Sequence, residues 1–570
     1  MPMALGLGLG LPYIAAASGP YPALDLLFTS GTLDSRVTYS GASLATLTDA
    51  TGAIAYKPHN LLTRSAVSTT NWSLATNVTV TAGTVADPEG ALTGATVSWG
   101  AASAGNGVLK VVSGVNGTAN TKAIYVRADV AGGTVELVDP GTTAGATVAT
   151  LTTAWQRVSL SEVAGTQLAS GGVWLRKTAS SPATVYVCWA TFNLGSLQPY
   201  YPTTGSAYFG PRFTYDPVTH AALGLLIEEQ RTNLLTYSEA FDNAAWAKTR
   251  SSVSVNSTAA PDGSSSADFI VEDSTAANSH FVANSLTISS ATAYTLSIYA
   301  KANGRSWIAL YESSAGKGKY FNISTGAVGG TLIGAPTSYS ITDVGNGWYR
   351  CSITVTSAGT SGSLSVYLAN ADGGFSYNGD GTSGVYVWGA QLEAGAFATT
   401  YIPTTSASVT RAADSATMTG SNFSSWFNAT QGTFVVDAQF GVVGPPSDLI
   451  LAHDGSATNS VGIYMSSSKP NQAVNAGGVS QTVQASGSAW TLGATSKVAA
   501  SFAANDFRTS NNGAAVVTDS VGSMPSGLNA FSLGGSGAVL YAGTKLNATI
   551  ARLRYYNTAL TNAQLQALTT

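Results

Sequence analysis

Charge is scarce in this chain: Asp, Glu, Lys and Arg make up 9% of its 570 residues. An ordinary soluble domain carries about a quarter, so the surface here must be polar without being charged. The 25 Lys and Arg are scattered singly and the net charge is −4, which leaves no basic stripe of the kind that phosphate neutralisation requires. Nucleic acid is therefore not an expected partner. Cysteine is rare too. Cys188 and Cys351 are the two in the chain, and they fall in segments that read as separate domains, so each is taken as a small buried hydrophobe rather than half of a disulfide. No stretch reaches about 18 consecutive apolar residues, so no membrane span is expected. The four histidines, His59, His220, His280 and His453, lie far apart in no spaced metal motif, and zinc and histidine-based catalysis drop out with them.

What is abundant is Gly, Ser, Thr and Ala, with Val, Tyr and Trp among them. Disorder needs low hydrophobicity together with high net charge; neither is present, so the chain should fold. It is too long for one core and suits three or four domains of roughly 100 to 200 residues. Near the start, Leu5, Leu7, Leu9 and Leu11 alternate with glycine, which puts the leucines of an extended segment on one face. The segment lacks the basic region of a secretory leader, and residues 1–23 read as an extended arm that docks onto another protein.

An internal repeat organises the rest. Asn60-Leu-Leu-Thr-Arg-Ser65 returns as Asn233-Leu-Leu-Thr-Tyr-Ser238, followed by Trp72 in one copy and Trp246 in the other. Downstream, Asp87-Pro-Glu-Gly90 pairs with Pro261-Asp-Gly263, and Ala123-Ile-Tyr-Val-Arg127 with Ser297-Ile-Tyr-Ala-Lys301. Ala154-Trp-Gln-Arg157 pairs with Gly347-Trp-Tyr-Arg350, Val185-Tyr-Val187 with Val385-Tyr-Val387, and Tyr200-Tyr-Pro-Thr-Thr204 with Tyr401-Ile-Pro-Thr-Thr405. Anchors that keep their order define two versions of one domain, residues 60–204 and 233–405. Between them lie short alternating runs such as Thr295-Leu-Ser-Ile-Tyr-Ala300, bounded by Gly, Asn, Ser and Asp, which predict antiparallel strands of a jelly-roll sandwich.

Residues 24–59 and 205–232 flank the first copy and read as a split β element, with the first sandwich inserted where chain ends lie close at an exposed turn. Residues 406–570 form a third β-rich unit. Its alternating runs include Thr433–Phe440 and Lys497–Phe502, Asn511-Asn-Gly513 is a tight-turn signal, and Leu560–Leu568 reads as a short helix with Thr561 and Gln564 as a capping box.

At these residues a resemblance can be named. Gly31-Thr-Leu-Asp-Ser-Arg36, Thr48-Asp-Ala-Thr-Gly52, Phe213-Thr-Tyr-Asp-Pro217, Gly224-Leu-Leu-Ile-Glu-Glu-Gln-Arg-Thr-Asn-Leu-Leu235, Trp388-Gly-Ala-Gln-Leu-Glu393 and Tyr401-Ile-Pro-Thr-Thr405 closely resemble stock phrases of tailed-bacteriophage spike and fibre proteins. The repeat resembles a carbohydrate-binding module, and Ile550-Ala-Arg-Leu-Arg-Tyr-Tyr-Asn557 is similar to the final strand of concanavalin-like and laminin-G-like lectin domains. The resemblance implies an all-β chain of tandem jelly-roll β-sandwiches, a C-terminal concanavalin-like sandwich and an extended N-terminal arm. It also implies a virion-surface protein assembled in the host cytoplasm, trimeric like other fibres, whose arm meets other virion proteins and whose sandwiches meet host surface polysaccharide. The first copy departs from the pattern, with Cys188-Trp-Ala-Thr-Phe192 in place of Trp-Gly-Ala-Gln-Leu, and this counts against a glycan site there.

Candidate chemistry is sparse. A glycosidase needs two carboxyls facing each other about 5 to 10 Å apart, whereas the neighbours Glu228 and Glu229 on a strand would point to opposite faces. No catalytic residue is assigned. Glu229, Gln230, Arg231 and Asn233 read instead as a structural polar motif that satisfies itself and nearby backbone. Trp307, Tyr311, Tyr320 and Tyr377 lie between the repeat anchors and are the glycan-stacking candidates. No cofactor is expected; Asp262 and Asp380, in Gly/Asn/Asp-rich turns, are candidates for a structural calcium beside the alternative of plain turns.

Overall fold

The computed structural model describes residues 21–113, 118–140, 145–163, 170–441, 446–456, 458–485, 487–535 and 546–570. Apart from residues 21–23, the N-terminal arm lies outside the described residues. Among them the chain is all-β, with α-helix confined to Ser421–Ser424 and Asn562–Thr569. In the latter helix Thr561 and Gln564 form the expected capping box.

The two repeat copies are two-sheet sandwiches with the same strand order. In the first, one sheet runs Gln156–Glu162, Asn120–Arg127, Thr184–Leu194, Gly94–Ser98, Thr79–Val85. The facing sheet runs Ala146–Thr150, Thr134–Val138, Ser170–Lys177, Gly107–Ser113, Ser73–Leu74. The second copy repeats both orders with an added edge strand on each sheet, Ala327–Ile333 on one and Ser338–Asp343 on the other. Alternation explains the layering. Along Ala293–Asn303, Leu296, Ile298 and Ala300 are fully buried in the sandwich core, while Ser297, Tyr299 and Lys301 face the other way, as a period of two dictates.

One buried asparagine closes each copy. The Asn233 amide donates to the carbonyls of Ala390 (3.1 Å) and Ile402 (2.8 Å), and its oxygen accepts from the amides of Leu235 (3.2 Å) and Leu392 (3.1 Å). Asn60 does the same with Ala190, Tyr201, Leu62 and Phe192. Every strong hydrogen-bonding site of the side chain is used, which is the condition for burying an amide without penalty. Trp72 and Trp246 donate their indole N–H to the carbonyls of Ala66 and Tyr237, and Trp155 and Trp348 to those of Ala86 and Ala259. The shared anchors are thus scaffold.

The third sandwich takes strands from both ends of the described chain. Its first sheet contains Phe213–Tyr215, Ala222–Ile227, Ala548–Tyr556, Gln431–Phe440, Thr495–Ala503, Asp506–Asn511 and Val517–Asp519. Leu24–Leu27 also pairs with Ala548–Tyr556, along residues 552–555, beside Ala222–Ile227 along residues 548–550. The two segments occupy one strand position beside Ala548–Tyr556 in two pieces. In the facing sheet Thr38–Ser40 pairs with Ser415–Thr419. The two halves of the split element meet where His59–Asn60 pairs with Tyr208–Phe209, while Leu24, Leu26, Phe28, Leu225 and Ile227 are buried in the core built mainly from residues 416–555. At the Asn-Gly signal, Asn512 and Gly513 both take positive φ, 44° and 71°, in a turn closed by the Ala514 amide on the Asn511 carbonyl at 2.8 Å.

Candidate functional site

The second sandwich carries an aromatic strip on the outer face of the sheet that contains Phe281–Thr287, Trp307–Glu312, Lys317–Asn322 and Ser361–Ala369. Cross-strand register assembles it. Phe281 sits opposite Tyr367, Tyr367 opposite Ala309, and Ala309 opposite Tyr320. Trp307 and Tyr311 flank Ala309 at intervals of two on the same strand and so share its face. The Phe281 and Tyr367 rings stack at 4.5 Å and 29°, and Tyr367 meets Tyr311 and Phe375 edge-on at 6.2 and 6.1 Å. Phe281, Trp307, Tyr311 and Tyr367 are half-buried, and Phe375 is 37% exposed.

The loop from 370 to 376 forms one rim of this strip. Its Asp372 carboxylate accepts the Gly330 amide at 2.6 Å. A Cβ on Gly329 would lie 2.5 Å from both Trp307 Cζ3 and the same carboxylate, so glycine there allows Asp372 to reach the edge of the indole. Asp372 is itself exposed, which leaves acceptor capacity beside aromatic rings.

Of the four aromatic candidates, Trp307 and Tyr311 lie on this face. Tyr320 is on it too but only 1% exposed, packed with Leu332 and Ala369; burial and nearby Asp372 push its phenol up to about 12. It supports the strip from below. Tyr377 is 7% exposed and elsewhere: its hydroxyl donates to Glu272 at 2.6 Å, beneath the Arg305 guanidinium 5.0 Å from its ring centre. Tyr320 and Tyr377 therefore have no free ring face for a sugar. Phe281, Tyr367 and Phe375 belong to the strip and were missed, since only pairing between distant strands brings them to Tyr311.

Both calcium candidates are turn residues whose carboxylates accept hydrogen bonds from their own turns. Asp380 accepts the amides of Thr382 (2.8 Å) and Ser383 (2.6 Å) and the Ser383 hydroxyl (2.7 Å), with Arg305 at 3.6 Å. These donors hold its carboxyl well below the usual range. Asp262 accepts the amide and hydroxyl of Ser264 at 2.9 and 2.7 Å. Among the described residues no group of three or more His, Cys, Asp or Glu is arranged to hold a metal ion.

The polar motif at 228–233 works as a joint. Arg231 pairs with Glu229 and donates to the Ala394 carbonyl at 2.6 Å, while Gln230 is exposed. The larger cluster is centred on Glu228, whose carboxylate receives Arg212 (2.5 Å), Arg411 (2.8 Å) and the amide and hydroxyl of Thr400 (2.9 and 2.6 Å). Arg212 also pairs with Asp414, all within the protein interior. Burial opposes ionisation of Glu228, but Arg411 and Arg212 outweigh it and hold the carboxyl at about 2. With both oxygens committed to cations and Thr400, Glu228 is fixed in place and unreachable by a substrate.

No protein-family model matches the chain. No curated protein matches it either. Among solved structures it is similar to the carbohydrate-binding module CBM40 of the Ruminococcus gnavus IT-sialidase bound to α2,3-sialyllactose, at 17% identity over 25% of this chain and 84% of that one, with TM-score 0.22. It is also similar to the tandem CBM22-1–CBM22-2 domains of Paenibacillus barcinonensis Xyn10C, at 13% identity over 63% of this chain and 100% of that one, TM-score 0.19. A third is the LG4-5 pair of the mouse laminin α1 chain, at 11% identity over 50% of this chain and 90% of that one, TM-score 0.19. Scores this low carry no weight on function, and the fold rests on the strand pairing itself.

Proposed function

We propose that the chain is a non-enzymatic glycan-binding adhesin and that the aromatic strip of the second sandwich is its binding face. The observation that carries this reading is the half-open row of Trp307, Tyr311, Tyr367 and Phe375 on a rigid sheet, with the exposed carboxylate of Asp372 at its rim. Aromatic faces take the apolar face of a sugar ring, and the carboxylate accepts from its hydroxyls. The first copy lacks the strip. Pairing register puts Gly107, Arg176, Glu136 and Val138 at the positions of Phe281, Tyr367, Ala309 and Tyr311, and there Arg176 and Glu136 form an ion pair.

A single site of this kind binds at ~1 mM, worth about 4 kcal/mol. Carried in many copies on one particle, it gains roughly 100- to 10,000-fold in avidity. The phage-fibre phrases supply that setting: a virion-surface protein, homotrimeric, anchored through its N-terminal arm. The test is a host-glycan array with the full chain, followed by titration of Tyr311→Ala and Tyr367→Ala. Each is expected to weaken binding about three- to tenfold. A blank array would leave a passive decoration protein, and release of reducing sugar from host capsule would make the chain a depolymerase; either overturns the adhesin.

A further inference from the structure

The internal duplication also exposes what the second copy hides. On its other outer face the second sandwich packs Tyr299, Trp348, Trp388 and Tyr401 into a closed cluster, each at most 4% exposed. Ile54, from the hairpin of Thr46–Thr48 and Ile54–Tyr56, covers it, with the Ile54 amide on the Pro261 carbonyl at 3.0 Å. In the first copy Tyr125, Trp155 and Tyr200 match three of these residues, Trp189 follows the match of the fourth by one position, and all four are half-exposed.

The first copy also differs at a neighbouring position. Lys301 of the second copy is Arg127 in the first, each opposite a tyrosine, Tyr386 or Tyr186. The Arg127 guanidinium lies 4.4 Å from the Tyr186 ring centre and 5.3 Å from that of Trp155. It makes no side-chain hydrogen bond among the described residues; its ion pair there is with Asp129, 3.8 Å away and 70% exposed. Asp129 accepts the Tyr186 hydroxyl at 2.7 Å and so fixes that ring. The other nearby acid, Asp87, is already taken up by the Glu89 and Ala91 amides and the Thr93 hydroxyl. Two rings thus hold a planar cation in position while its fork of donors makes no hydrogen bond and only a long ion pair with exposed Asp129, and that fork matches a carboxylate. Trp189 and Tyr125, 5.3 Å apart and edge-on, extend the apolar floor along the same sheet.

We infer that this face of the first sandwich is a second binding site, specific for a carboxylated saccharide, in which Arg127 takes the carboxylate and the aromatic floor takes the sugar ring. It is separate from the strip of the second sandwich and does not depend on it. The test titrates the full chain with oligogalacturonate, oligomannuronate and sialyllactose. At least one should bind saturably, lose about ten- to hundredfold on Arg127→Gln, lose comparably when its carboxylates are methyl-esterified, and be unchanged in Tyr311→Ala. Arg127→Lys should recover only part of the affinity, since it keeps the charge without the fork. Failure of all three probes to bind, indifference to Arg127→Gln, or competition by acetate at equal strength would overturn the assignment.

Discussion

At position 296 the second sandwich buries a leucine, and at the equivalent position the first buries Lys122, both at 0% exposure. The lysine pairs with Asp139, itself fully buried, with Glu162 at 3.9 Å. The residue equivalent to Asp139 is Glu312, which is also buried but satisfied differently: it accepts the amides of Ser314 and Ala315 at 2.9 and 2.8 Å and the Ser314 hydroxyl at 2.9 Å. One site therefore has two solutions for a buried carboxylate, a cation from across the core or donors from its own turn. The acid and its partner must change together, because either half alone leaves a charge without compensation.

The strongest way to break this comparison is Lys122→Leu, which installs the second copy's residue without its turn. Removing one partner of a buried pair costs about 3 to 5 kcal/mol, so the first sandwich should unfold well before the other two, as hydrogen exchange resolved by domain would show. Acid should separate the copies next. The joint at the first copy's end rests on neutral His59, whose Nε2 accepts the Leu194 amide at 2.8 Å and whose Nδ1 meets the Lys57 carbonyl at 2.8 Å. Burial drives its pKa down to about 4 from 6.5. That stability is complete above about pH 6.5 and lost as pH falls through 4. The Glu228 joint, depressed from 4.5 to about 2, is complete above about pH 4.5 and lost only as pH falls through 2. Each contribution is on the order of 3 kcal/mol, and the Leu194 amide should lose exchange protection at a higher pH than the Thr400 amide.

Asn233→Ala and Asn60→Ala sharpen the likeness instead. Each strands two carbonyls and two amides, so both should cost about 2 to 3 kcal/mol, and a large inequality would show that the clasps are not equivalent. The smallest effect concerns one backbone position. Gly389 has φ 62°, and a Cβ there would lie 2.9 Å from Tyr299 Cδ2; the matching residue of the first copy, Trp189, has φ 54°. Gly389→Ala should cost about 1 to 2 kcal/mol. Trp189→Gly should come within about 1 kcal/mol of neutral, because relief of the left-handed strain offsets the lost stacking on Tyr200. Thermal unfolding checks both.

The duplication was readable in the sequence because its anchors, Asn60 and Asn233 or Trp155 and Trp348, are polar or aromatic residues that serve the backbone directly and tolerate little substitution. The role of Trp189 beside Tyr200 was not. The indole sits one residue later in the first copy than Trp388 in the second, in the bulge that both copies share, and there Trp189 stacks on Tyr200 at 5.1 Å. Two of the four aromatic candidates, Trp307 and Tyr311, stand half-exposed on one sheet face, and burial of Tyr320 and Tyr377 could not be read from spacing. The junction was legible only as Glu229 and Arg231. Its centre needs Arg212, Asp414 and Arg411, which sequence separates by up to 202 positions and only the closed third sandwich brings together.

The strand built from two distant pieces in that sandwich has a consequence for biosynthesis. Leu24–Leu27 must wait for Ala548–Tyr556, since Asp25 grips Arg552 across 527 positions with two bonds of 2.8 and 2.6 Å. Two complete domains leave the ribosome in the interval and can fold alone, while Leu24, Leu26, Leu225 and Ile227 stay uncovered. A message cut short before residue 548 would then yield well-formed repeats bearing an apolar seam, and that seam is the kind of mark by which quality-control proteases tell an unfinished polypeptide from a finished one.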